Sequence, residues 1–203
     1  MQYLVTMTTH VPDGVPAQEV DEVRGREAAR SRRLAADGHL LRLWRPPLQP
    51  GEWRSLGLFA ADDADRLEEV LASMPLRIWR HDDVVPLSPH PNDPPSPAPR
   101  PPDAREFLTT FTLTIPEAVD GPTVDEAYAA EARSARKLAG QGYLARLWRL
   151  PGRGRTLGLW QAGGADELRS VLATLPLGPW LGIETVPLVG HPNDPAAVTA
   201  PFA

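Results

Sequence analysis

The chain has 203 residues, a formal net charge of −5 and no cysteine. The absence of cysteine excludes disulfides, thiolate metal sites and thiol catalysis, and the negative charge argues against a nucleic-acid partner. The sequence shows neither a secretory leader nor an apolar run of about 18 residues, so we predict a cytoplasmic protein without a membrane partner.

Hydrophobic periodicity and turn residues predict the same six elements twice. The first half predicts strand Tyr3–Val11, helix Pro16–Ala36, strands His39–Arg45 and Arg54–Ala60, helix Asp62–Ser73 and a short strand Asp83–Leu87. The second half predicts strand Phe107–Ile115, helix Thr123–Gly140, strands Tyr143–Arg149 and Arg155–Gln161, helix Ala165–Thr174 and a short strand Glu184–Val189.

Four short motifs also recur in one order, which indicates a duplicated domain. LRLWRPP at 41–47 returns as ARLWRLP at 145–151, RSLGLF at 54–59 as RTLGLW at 155–160, MPLRIW at 74–79 as LPLGPW at 175–180, and SPHPNDP at 88–94 as VGHPNDP at 189–195. We therefore predict a repeat at 1–90, a proline-rich linker at 91–104, and a second repeat at 105–203.

The βαββαβ order predicts an α+β fold of two ferredoxin-like repeats, each with an antiparallel sheet covered by helices on one face. The other sheet face must be covered or wet. Two sheets packed face to face solve this problem, either within one chain as a pseudo-dimer or between chains in a homo-oligomer.

A carboxylate lies within the apolar stripe of the first helix in each repeat. Glu27 falls among small and apolar positions at helical spacing, and Glu131 does the same in the second repeat. A buried glutamate with a raised pKa suits proton abstraction from carbon. The alternative is a glutamate at the edge of the stripe that pairs with an arginine of the second strand. Glu22 and Glu126 recur too, but on the opposite, polar face.

The Leu-Trp-Arg motif places an aromatic ring and a cation on opposite faces of the second strand. The motif supplies Trp44 and Arg45 in one repeat and Trp148 and Arg149 in the other, with Arg42 and Arg146 on the tryptophan side. An arginine in a closed site is a natural clamp for a substrate carboxylate. The alternative is a structural ion pair with Glu27 or Glu131.

The third repeated group is the histidine of His-Pro-Asn-Asp-Pro, at His90 and His191. This histidine either caps a pocket or simply ends the fourth strand in a turn. The sequence contains no His-Glu-x-x-His motif, no cluster of metal ligands and no phosphate-binding glycine loop, so we predict neither a metal nor another cofactor.

Taken in order, these motifs resemble muconolactone Δ-isomerase over 1–93 and 105–194. The resemblance implies the dimeric α+β barrel fold, no cofactor, homo-oligomers of single-domain subunits, and a double-bond shift in a small unsaturated lactone that bears a carboxylate. It implies a catalytic role for Glu27 and Glu131. It assigns substrate binding to Trp44, Arg45, His90, Trp148, Arg149 and His191, to which we add Arg42 and Arg146.

The chain departs from the family pattern at three matched pairs of positions. Thr6 and Thr110 replace a lysine, Arg42 and Arg146 replace a histidine, and Ala60 and Gln161 replace an acidic residue. These exchanges leave two other hypotheses open. The first is a biosynthetic isomerase or cyclase acting on a larger scaffold, and the second is a non-catalytic ligand-binding or assembly module.

Overall fold

The computed structural model describes residues 1–96 and 103–198, so the middle of the predicted linker, 97–102, lies outside the described residues. No helix within the described part of the chain is long and apolar enough to cross a membrane. The β-strands and helices follow the predicted order.

The first repeat forms β1 (Gln2–Thr9), α1 (Ala17–Ala36), β2 (Leu40–Arg45), β3 (Arg54–Ala60), α2 (Ala64–Ala72) and β4 (Arg80–Pro89). The second repeat forms β5 (Arg105–Leu113), α3 (Gly121–Gly140), β6 (Leu144–Arg149), β7 (Arg155–Ala162), α4 (Ala165–Leu172) and β8 (Leu181–Gly190). Short 3-10 helices at Pro75–Trp79 and Gly178–Trp180 precede the fourth strands, and a one-turn helix α5 (Pro195–Val198) follows β8. The predicted α+β class with two βαββαβ repeats is confirmed.

The chain folds into two compact units that differ from the sequence repeats at their ends. Of the described residues, unit 1 contains Met1–Leu87 together with 189–198, and unit 2 contains those between Ser88 and Leu188. In unit 1 the strand order is β4, β1, β3, β2 and the end of β8. In unit 2 the order is β8, β5, β7, β6 and the end of β4. Each repeat therefore gives the end of its last strand to the opposite unit.

The fourth strands are longer than predicted, with 10 residues each in place of Asp83–Leu87 and Glu184–Val189. β4 pairs with β1 from the Thr9–Arg80 pair onward, and β8 pairs with β5 from the Leu113–Leu181 pair onward. The start of β4 was not predicted because it is rich in charged residues, which a hydrophobic pattern does not mark as a strand. These residues still pair with β1, because an antiparallel ladder is formed by backbone groups and accepts polar side chains on its exposed face.

Close packing over one strand explains the repeated Leu-Gly-Leu-aromatic motif. In β3 a side-chain carbon on Gly57 would meet the ring of Phe59, and in β7 a side-chain carbon on Gly158 would meet the indole of Trp160. Both rings are almost completely buried. Glycine is required here because the aromatic side chain lies back across the strand beneath it.

Candidate functional site

Each unit contains one cavity built from equivalent elements. The cavity of unit 1 has a volume of about 440 Å³, and the cavity of unit 2 about 480 Å³. The first strand, first helix and second strand of a repeat line each cavity, together with the chain that precedes its fourth strand. A His-Pro-Asn segment completes the wall.

Glu27 projects from α1 into the cavity of unit 1, where only 8% of the residue is exposed. Its Oε2 accepts a hydrogen bond from the backbone N–H of Leu76 at 2.9 Å, and its Oε1 accepts one from Nη1 of Arg80 at 3.1 Å. Burial raises the pKa of Glu27, while the Leu76 N–H and the Arg80 charge oppose that effect.

Arg80 connects Glu27 to a chain of charges that runs from the buried Asp82 side chain to the exposed Glu68. Its Nε and Nη2 donate to the two oxygens of Asp82 at 2.6 and 3.0 Å. Arg77 donates to Asp82 at 3.1 Å and to Glu68 at 2.8 Å. All the polar edges of the Arg80 guanidinium thus face protein partners, so Arg80 orients Glu27 and leaves substrate binding to other groups.

Glu131 occupies the equivalent place on α3 without this network. Its Oε2 accepts a hydrogen bond from the backbone N–H of Leu177 at 3.0 Å. Leu181 stands where unit 1 has Arg80, and among the described residues no cation forms an ion pair with Glu131. Burial is the main cause of the raised pKa of Glu131, and the Leu177 N–H opposes it.

Two arginines at the ends of β2 and β6 line the cavities at their exposed edges. Arg45 belongs to the cavity of unit 1 and Arg149 to that of unit 2. Neither forms an ion pair with a described residue, although each lines the same cavity as a glutamate. Each cavity therefore offers an available guanidinium at its edge and a carboxyl group in its wall.

The histidine of each cavity comes from the opposite repeat. His191 lines the cavity that contains Glu27, and His90 lines the cavity that contains Glu131. Nδ1 of each ring accepts the backbone N–H two residues later at 3.1 Å, which leaves Nε2 as the donor of the neutral ring. Burial lowers the pKa of both, to about 4 for His191, and Arg45 and Arg149 contribute in the same direction.

The segment after each fourth strand, here called the tail, contacts the second strand of the opposite repeat. An aspartate of the tail, Asp194 or Asp93, makes this contact, which we call the latch. Asp194, with 2% of its surface exposed, accepts hydrogen bonds from Leu43 N at 3.0 Å and from Arg42 Nη2 at 3.1 Å. Asp93 forms the equivalent contacts with Leu147 N at 2.7 Å and with Arg146 Nε at 3.2 Å.

This latch corrects the expectation that Arg42 and Arg146 face the pocket. Neither lines a cavity, and each guanidinium lies over the ring of a neighbouring tryptophan, at 4.8 Å for Trp44 and 4.9 Å for Trp148. Both tryptophans are buried and also lie outside the cavity linings. In each repeat, the strand face with the tryptophan and Arg42 or Arg146 contacts the tail. The opposite face, with Arg45 or Arg149, lines the cavity.

Several cavity residues escaped the sequence analysis. Trp53 and Arg80 line the cavity of unit 1, and Trp160 lines that of unit 2. Comparison of the two halves favoured groups present in both, and Arg80 has no arginine counterpart. The repeated Asn-Asp-Pro does lie in a turn, as its residue types indicate, and its aspartate also forms the latch, which the turn pattern alone does not predict.

The described part of the chain holds no group of three His, Cys, Asp or Glu side chains that could bind a metal ion. Each cavity instead brings together a glutamate carboxyl, the guanidinium at the end of the second strand and a histidine imidazole, beside further cations: Arg24 and Arg80 in unit 1 and Arg155 in unit 2. Such a set can bind an anion at its edge and exchange a proton within.

The fold and the paired cavities define a tandem ferredoxin-like α+β protein with one glutamate in the wall of each cavity. The family model of muconolactone delta-isomerase matches residues 1–93 and 105–194. The chain belongs to this family, which supports an isomerase function.

Known relatives match one repeat at a time. The chain is 32% identical over 88 residues to the muconolactone Delta-isomerase of Rhodococcus opacus, covering 43% of this chain and 95% of the relative. It is 32% identical over 92 residues to the muconolactone Delta-isomerase of Cupriavidus pinatubonensis, covering 45% of this chain and 97% of the relative. The structure is also similar to that of chlorite dismutase from Candidatus Nitrospira defluvii, with a TM-score of 0.61 and 9% sequence identity. The match covers 95% of this chain and 92% of the dismutase chain, and at this identity it shows the fold alone.

Proposed function

We propose that the chain is a cofactor-independent isomerase that shifts a C=C bond in a small, carboxylate-bearing unsaturated lactone. One observation carries this proposal. In each cavity a glutamate whose pKa is raised by burial, complete for Glu27 and partial for Glu131, faces the same space as an arginine without an ion-pair partner among the described residues. The family match and the names of the relatives supply the reaction class.

The glutamates would carry the proton. The ionised carboxylate takes the proton from the ring carbon that bears the side chain, and the electrons of that C–H bond move through the C=C bond to the carbonyl oxygen. The resulting dienolate then accepts a proton from the same carboxyl group at the ring carbon next to the carbonyl, and in D2O exchange of the carboxyl proton brings in deuterium. No atom is gained or lost, and one carboxyl group serves as base and then as acid.

The other groups would bind and stabilise the substrate. Arg45 or Arg149 would pair with the substrate carboxylate through its planar fork. Nε2–H of His191 or His90 would donate to an oxygen of the lactone, where negative charge develops. A lowered histidine pKa keeps this ring neutral at pH 7, so it does not compete with the arginine for the carboxylate.

Proton NMR of muconolactone in D2O tests this function. The wild-type chain is expected to convert muconolactone to its enol lactone, with deuterium entering from solvent, and the Glu27→Gln/Glu131→Gln variant is expected to lose this conversion. The matched control is Glu22→Gln/Glu126→Gln, which makes the same change on the exposed faces of the same helices. Conversion that survives the loss of Glu27 and Glu131 would overturn the assignment of the base.

A further inference from the structure

The two cavities differ in lining chemistry more than in volume. Four positions that are polar in unit 1 are apolar or aromatic at the matched places of unit 2. Thr9, Arg24, Ser31 and Arg80 line the first cavity, whereas Leu113, Tyr128, Ala135 and Leu181 line the second. The volumes of about 440 and 480 Å³ are similar, so the difference concerns which groups a ligand meets.

The loss of polarity around Glu131 extends beyond the cavity wall. The charge network of unit 1 runs through Arg80, Asp82, Arg77 and Glu68. Unit 2 has Leu181, Ile183, Gly178 and Arg169 at the matched positions, so every link of the network has changed. This replacement removes the ion-pair partner of the glutamate and the charges behind it, while Glu131 itself is kept.

The exposed edges of the cavities differ in bulk. In unit 1 the guanidinium of Arg24 lies 5.4 Å from the centre of the Trp53 ring, and both side chains line the cavity. In unit 2 the matched residues are Tyr128 and Gly154. Gly154 has a φ of +70°, and a side-chain carbon there would lie 2.8 Å from the carbonyl oxygen of Leu113, so a bulky residue does not fit.

From these contrasts we infer that the two cavities take different lactones: unit 1 binds a compact polar lactone acid, and unit 2 binds one whose ring carries an apolar substituent. This inference rests on the proposed function. Arg24 stacked on Trp53 blocks the path that a substituent would take in unit 1. Leu113, Tyr128 and Leu181 provide apolar contacts for it in unit 2.

The energetic reason is differential desolvation. An alkyl group in the first cavity would cover the hydroxyls of Thr9 and Ser31 and the Arg24 cation without replacing their polar contacts. In the second cavity the same group would remove apolar surface from water. A hydrophobic pocket discriminates by roughly tenfold or more for each added carbon group, so the preference of the two cavities should differ measurably.

Single-site variants separate the two cavities in the intact chain. Glu131→Gln leaves the base of unit 1, Glu27→Gln leaves that of unit 2, and the double variant gives the background. Initial rates are measured by NMR for muconolactone and for muconolactone with a butyl group on the ring carbon β to the carbonyl, which adds no substituent to either proton-transfer carbon.

The ratio of kcat/KM for the butyl compound to that for muconolactone is expected to be at least about tenfold higher in Glu27→Gln than in Glu131→Gln. Adding Trp53→Gly to Glu131→Gln should raise that variant's ratio, and adding Tyr128→Arg to Glu27→Gln should lower it. Equal ratios in the two single-site variants, with wild-type conversion intact, would overturn the inference alone. Absence of conversion of both lactones by the wild-type chain would overturn the proposed function and this inference with it.

Discussion

The carboxylate of Asp194 accepts a hydrogen bond from the backbone N–H of Leu43 at 3.0 Å, although the two residues belong to opposite sequence repeats. Arg45 lies two residues after Leu43, and His191 lies three residues before Asp194. The bond therefore brings the Arg45 guanidinium and the His191 imidazole to the same cavity. Asp93 and Leu147 form the same bond at 2.7 Å in unit 2.

Replacing a latch aspartate should lower the activity of one cavity only. That cavity is the one whose glutamate belongs to the other sequence repeat. Asp194→Ala is expected to lower kcat/KM about 100-fold in the Glu131→Gln background, where unit 1 carries the activity, because His191 loses its fixed position. In the Glu27→Gln background the same change should have little effect. Asp93→Ala should give the reverse pattern, and an effect that followed the sequence repeats would contradict the exchange of tails.

Replacing the charge network of unit 1 should shift its pH dependence. Arg80→Leu/Asp82→Ile installs the residues that unit 2 has at these positions and leaves Arg77 paired with Glu68. The charge and the hydrogen bond of Arg80 lower the pKa of Glu27, and the Asp82 charge raises it by less than the Arg80 charge lowers it, so loss of both residues should raise this pKa further. The acid limb of the rate profile, measured in the Glu131→Gln background, should therefore move to higher pH. An unchanged limb would mean that Glu27 is not the titrating base.

His191 should make the folded chain sensitive to acid. Its pKa is lowered from 6.5 to about 4, so between these values the unfolded chain binds the proton and the folded chain does not. Stability contributed by the neutral ring is present above pH 6.5 and is lost as the pH falls toward 4. His191→Asn keeps an acceptor for the Asn193 N–H, and it should flatten the fall in unfolding free energy over this range.

Urea denaturation of wild type and His191→Asn at several pH values measures this contribution. Other titrating groups are the same in both proteins, so their effects cancel in the difference. Parallel curves from pH 7 to pH 4 would show that the ring does not titrate as its burial implies.

The glycine beneath each buried aromatic ring should be intolerant of a methyl group. Gly57→Ala places a carbon against the ring of Phe59 and is expected to lower the free energy of unfolding by about 1–3 kcal/mol. Gly25→Ala is the control, since a carbon there meets no atom within 4 Å and lies inside α1. It should raise stability by about 1 kcal/mol through helix propensity, so equal effects of the two changes in urea denaturation would contradict the packing argument.

Local periodicity was sufficient for the elements and for the reactive face of the first helix. Spacing along α1 placed Glu27 among buried residues, and Val23, Ser31 and Leu34 are buried beside it. Alternation along β2 separated Trp44 from Arg45, and the structure places them on different sides. These features depend on backbone geometry within one element, which sequence spacing encodes directly.

Contacts between distant segments were not accessible in the same way. Nothing in the spacing of His90 tells which cavity it enters, because the chain can turn toward either unit after β4. Comparing the two repeats for shared polar residues does not single out Arg80, because the matched residue of the second repeat is Leu181. The sequence predicts substrate binding by Arg42 because an arginine in a closed site is a natural clamp for a carboxylate, but the carboxylate that Arg42 binds, Asp194, lies far along the chain.

The exchanged tails make the two halves of this chain mutually dependent. A polypeptide reduced to either half would carry a glutamate and an arginine but would need a second molecule to supply the histidine and its aspartate latch. For that shorter chain, completing a site would be a bimolecular event governed by protein concentration. Covalent fusion makes the same event intramolecular, so site assembly here should be independent of dilution.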